Sequence, residues 1–103
     1  MKNVWHEYII GHPTFGKPGM IDKFVEMYPD DFEGKNEVFG ENFRLLMFKR
    51  SIFPKKLIAL IPFNEGVLVA CYMGYAPKGD VLDSLCEVLK IDKDVLFTPG
   101  MKL

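Results

Sequence analysis

Short apolar runs alternate with polar, turn-rich stretches along the whole chain. Val4 to Ile10 (VWHEYII) is β-branched and aromatic and alternates at its start, which predicts a strand. Gly11 to Gly19 (GHPTFGKPG) holds three glycines and two prolines in nine residues and reads as a loop. Met20 to Tyr28 sets Met20, Ile21, Phe24, Val25, Met27 and Tyr28 against Asp22, Lys23 and Glu26 at helical spacing, and Pro29 ends the helix.

Residues 30–41 are polar and broken by Gly34 and Gly40. Phe43 to Phe48 (FRLLMF) mixes helix-favouring Leu and Met with strand-favouring aromatics. It is assigned as a strand because two strand-like runs follow that could pair with it. Leu57 to Ile61 is the first, cut by Pro62, which puts that end at a sheet edge. Phe63-Asn64-Glu65-Gly66 supplies a hairpin turn, and Val67 to Met73 returns as the second. Asp80 is a suitable N-cap for a helix with the stripe Val81, Leu82, Leu85, Val88 and Leu89, and Val95 to Phe97 forms a short last strand. The expected order is β-α-β-β-β-α-(β). It predicts one two-layer α+β domain over residues 1–103, a mainly antiparallel sheet of about four strands with both helices on one face.

Composition supports a single packed unit. The chain has 103 residues, 49% of them hydrophobic and 26% charged, enough apolar material for one core and too little length for two domains. No apolar run approaches the ~20 residues that span a bilayer, and no signal-peptide core follows the polar Met1-Lys2-Asn3. The expectation is a cytoplasmic protein with no membrane contact. Cys71 and Cys86 make no disulfide framework and read as small buried hydrophobes.

Charge changes the picture more than composition does. The net charge is only −1, yet Asp22 to Glu41 carries seven acids against two lysines. Asn42 to Asn64 carries five bases (Arg44, Lys49, Arg50, Lys55, Lys56) and no acid. Such segments can steer a partner or neutralise one another within the fold. The stretch from Phe48 to Lys56 also interleaves bases with Phe48 and Phe53, a pattern suited to an acidic protein surface or to stacking on single-stranded nucleic acid.

Gly11-His12-Pro13-Thr14-Phe15-Gly16-Lys17 reproduces the G-x-x-x-x-G-K of a phosphate-cradling loop, but Pro18 replaces the Ser or Thr that would hold Mg²⁺. Anion binding through His12, Thr14 and Lys17, without nucleotide hydrolysis, is the alternative reading of this loop. His6 and His12 are the only histidines, and with two distant cysteines they lack the spacing of a metal site. No nucleophile–base signature surrounds either cysteine.

These features predict a non-enzymatic protein with no cofactor and no metal. It would bind a protein partner through Arg44, Lys49, Arg50, Phe53, Lys55 and Lys56, as an inhibitor or regulatory effector of the phage or mobile-element type. Fourteen per cent aromatic residues, several of them in expected loops, add a homodimer as a second form of protein contact. The alternative is a protein that binds a phosphate-bearing ligand or nucleic acid through the 11–19 loop and the basic 44–56 segment.

Overall fold

A computed structural model describes residues 4–101; Met1-Lys2-Asn3 lies outside them. The expected four-strand sheet with two helices is corrected: the described residues form seven helices and one two-stranded antiparallel ribbon. In chain order the elements are α1 (Val4–Ile10), α2 (Met20–Met27), β1 (Phe32–Lys35), α3 (Glu37–Lys49) and α4 (Pro54–Ile58). α5 (Glu65–Tyr72), β2 (Tyr75–Pro77), α6 (Gly79–Leu89) and α7 (Lys93–Leu96) complete the order. No helix of the described residues is long and apolar enough to cross a membrane.

Each correction has a local cause. VWHEYII is helix α1 because Trp5 is buried and Tyr8 and Ile9 follow it at helical spacing against the core, while Val4, His6, Glu7 and Ile10 face outward. FRLLMF is the second half of α3, which starts where the Asn36 side chain accepts from the Phe39 amide. Along α3, Phe39, Phe43, Leu46 and Met47 recur on one buried face. Leu57 belongs to the short α4, opened by Pro54 in its first turn. The expected hairpin turn is a helix start: Asn64 Oδ1 accepts from the Gly66 amide. The expected return strand is α5, and the expected last strand at 95–97 is the end of α7 and its cap. The helix at 20–27 and the apolar stripe at 81–89 form as read, although Lys78 rather than Asp80 occupies the N-cap of α6.

α5 is the hub. Gly66 to Cys71 are all buried, with α2, α3, α4 and β2 packed around them. A helix apolar on every side must be surrounded, and this one is. Gly66 has no side chain because a Cβ there would lie 2.7 Å from Phe15 Cζ and 2.9 Å from Phe24 Cζ. The ribbon pairs Phe32 with Pro77, Gly34 with Ala76 and Lys35 with Tyr75, with a bulge between Phe32 and Gly34. Asn42 is the buried polar residue of the core, and its amide donates to the carbonyls of Leu96 (2.9 Å) and Thr98 (2.8 Å), tying α3 to α7. Cys71 and Cys86 are buried thiols, on helices rather than on a strand.

Candidate functional site

The 11–19 loop follows a helix, not a strand, and folds back on itself. The amides of Gly11, His12, Gly16 and Lys17 donate to the carbonyls of Glu7, Ile9, His12 and Thr14. The amides of Thr14 and Phe15 both donate to His12 Nδ1, each at 3.1 Å. Nδ1 is thus an acceptor, so the ring proton sits on Nε2 and is donated to Glu65 Oε1 at 2.7 Å. Glu65 Oε2 accepts a second bond from the Tyr8 hydroxyl at 2.8 Å. Most donors that could cradle a phosphate are already used, and His12 faces a carboxylate rather than an anion site. Gly16 sits so close to the preceding chain that a Cβ would lie 2.5 Å from the Ile10 carbonyl oxygen, so no other residue fits there.

This cluster has its own electrostatics. The bonds from His12 and then Tyr8 hold the Glu65 carboxyl below its usual range. Burial, followed by the bond to Glu65 and its charge, pushes the Tyr8 hydroxyl well above its ordinary value. The imidazole has neither nitrogen exposed to abstract a proton, so the cluster latches the loop to α1 and α5. Glu65 escapes sequence reading because it falls in the expected hairpin turn. The signal that would have found it is Asn64-Glu65 immediately before an apolar run, a helix-start pattern.

The basic stretch divides by residue type. Arg44 Nη1 donates to the Tyr72 carbonyl at the end of α5 (2.9 Å), and Arg50 Nη1 donates to the Leu89 carbonyl at the end of α6 (2.5 Å). Both guanidinium groups close helix C-termini. Lys49, Lys55 and Lys56 are exposed and make no ion pair among the described residues. Neither described ion pair joins the acidic 22–41 segment to the basic 42–64 segment. Phe53 is 50% exposed and Phe48 is 71% exposed, with Leu45 one turn before Phe48 on the outer side of α3. Phe48, Phe53 and the three lysines therefore share the end of α3 and the start of α4, whereas Arg44 and Arg50 each bond to the end of another helix.

Lys17 is separate from both groups. It lines a cavity of about 260 Å³ together with Lys35, Asp22 and Tyr75. Tyr75 donates its hydroxyl to Asp22 Oδ1, and that bond first, with burial, pushes the phenol up to about 12. Burial raises both thiols, Cys86 to about 11, and neither is a ready thiolate. Among the described residues no group of His, Cys, Asp and Glu is arranged to hold a metal ion. Comparison with known protein families, with curated proteins and with solved structures returned no match.

Proposed function

We propose that the chain acts without catalysis, by binding an acidic surface of a partner protein through the end of α3 and the start of α4. The observation that carries this reading is the exposure of Phe48 and Phe53 among Lys49, Lys55 and Lys56, with no acid of the described residues paired to them. The aromatics supply anchors that bury large area on contact, and the lysines supply steering. A structural role for the lysines would have placed them against the acidic 22–41 segment. The bonds of Arg44 and Arg50 to helix ends keep this platform rigid, which lowers the ordering cost of association.

The test is association kinetics with a glutamate-rich peptide containing tyrosine, set against a random single-stranded oligonucleotide. Charge reversal at Lys49, Lys55 and Lys56 is expected to slow peptide association, and Phe48→Ser to speed dissociation. Tighter binding to the oligonucleotide, with affinity falling by a log–log salt slope of about −0.7 per phosphate, would overturn the reading in favour of nucleic acid.

A further inference from the structure

The latch leaves one feature of the 11–19 loop unexplained. Lys17 turns away from His12 and Thr14 and lines the cavity between α1, the loop, α2 and the ribbon. The apolar part of its wall is built from Ile9, Ile10, Phe15 and Met73, and both Ile10 and Met73 remain exposed. Lys35 enters from β1, with its ammonium 5.5 Å from the centroid of the Tyr75 ring.

The lysines of this cavity are not ion-paired among the described residues. Asp22 lines it too, but its carboxylate is taken by the Tyr75 hydroxyl and lies within ion-pair distance of neither lysine. Lys17 and Lys35 thus stand in the cavity wall without an ion-pair partner among the described residues, while the charges of Asp22 and Glu26 act on Tyr75. The backbone N–H groups of Ile21 and Asp22, in the first turn of α2, also have no acceptor among the described residues.

From these juxtapositions we infer that the cavity is a binding site for a small organic monoanion, an aromatic or branched carboxylate. The apolar walls cover the body of the ligand while Lys17 and Lys35 meet its carboxylate. The volume falls below the ~300 Å³ at which pockets begin to enclose drug-sized ligands, so a nucleotide is too large. A phosphate dianion costs more to desolvate against the apolar part of the wall than a monoanion, and it would meet the charges of Asp22 and Glu26. The site lies apart from the α3–α4 face and does not depend on the partner-binding reading.

The experiment is an amide-resolved NMR titration with 4-methylbenzoate, with the neutral 4-methylbenzamide and inorganic phosphate as parallel probes. Saturable shifts confined to residues 9–22, Lys35 and 73–75 are expected with the carboxylate, and both other probes should bind at least about tenfold more weakly. Lys17→Gln together with Lys35→Gln should weaken the carboxylate about tenfold while leaving the rest of the amide spectrum in place. Both side chains are exposed, so the fold is preserved. Equal binding of the benzamide, equal binding of phosphate, or shifts scattered over other lysines and indifferent to the double substitution would each overturn the inference.

Discussion

The loop at residues 11–19 spends its polar groups on the fold, whereas the basic stretch at 44–56 divides its own between fold and solvent. In the loop, His12 accepts from two amides and donates to Glu65, while the Thr14 and Lys17 side chains are exposed. In the basic stretch, two arginines close helix ends while three lysines and two phenylalanines stay in water. The difference follows residue chemistry. A planar, weakly hydrated guanidinium gives up water for a carbonyl at modest cost, while an ammonium holds its water and stays exposed. Glycine and proline density therefore marks a tightly folded connection here, and the exposed lysines and phenylalanines of the basic stretch lie at helix ends.

The comparison breaks most sharply at the latch. Gly66→Val should cost about 3 kcal/mol, since the added atoms meet Phe15 and Phe24 and pry the loop from α5; chemical denaturation measures it. Glu65→Ala should cost about 2 kcal/mol by leaving the Tyr8 hydroxyl and the His12 Nε2–H without their acceptor. An unchanged midpoint would mean that the latch stabilises nothing.

Acid and alkali probe the same cluster from two sides. The folded pKa of Glu65 lies below its ordinary 4.5, so its contribution is complete above pH 4.5 and is lost as pH falls through the depressed folded value. Tyr8 is displaced upward from 10.0, so its contribution is complete below pH 10.0 and is lost as pH rises further. Glu65→Gln should flatten the acid limb measured by thermal unfolding between about pH 2 and 7.

Effects shrink on moving to the basic stretch, and they sort by residue type. Arg44→Ala and Arg50→Ala should each cost about 1 kcal/mol through a lost helix-end bond. Lys49→Glu, Lys55→Glu, Lys56→Glu and Phe48→Ser should each change stability by less than about 0.5 kcal/mol. A destabilisation by the lysine changes as large as that by the arginine changes would erase the distinction.

Legibility in the sequence followed amphipathicity. The helices expected over 20–28 and after Asp80 carry polar faces, so their period is visible, and both form, at 20–27 and 79–89. Val67 to Cys71 is buried on every side, and periodicity cannot tell such a helix from a buried strand. Its start at Asn64 carries the deciding information, but Asn-Glu-Gly also reads as a turn. In α3, Gly40 suggests a break, although it sits inside a continuous helix where a Cβ would lie 2.9 Å from Gly74 Cα. α1 is too short to overcome its β-branched composition by pattern alone, and Trp5, Tyr8 and Ile9 supply only one turn of evidence.

The site was legible in part for a related reason. Lys49, Phe53, Lys55 and Lys56 stand outward in one continuous segment, where sequence adjacency is also spatial adjacency. The His12–Glu65 pair spans 53 positions, and nothing short of the fold brings its members together.

One more consequence belongs to the single tryptophan. Trp5 is buried, stacks on Tyr72 with ring centroids 5.2 Å apart, and donates its indole N–H to the Ile52 carbonyl at 2.8 Å. One fluorophore therefore sits at the junction of the first helix, the central helix and the connection leading to Phe53. Its emission colour reports whether that junction is closed. Release of the N-terminal helix would shift the light to longer wavelength even while α3 and α6 keep their helical signal, so the molecule carries its own optical gauge of partial opening.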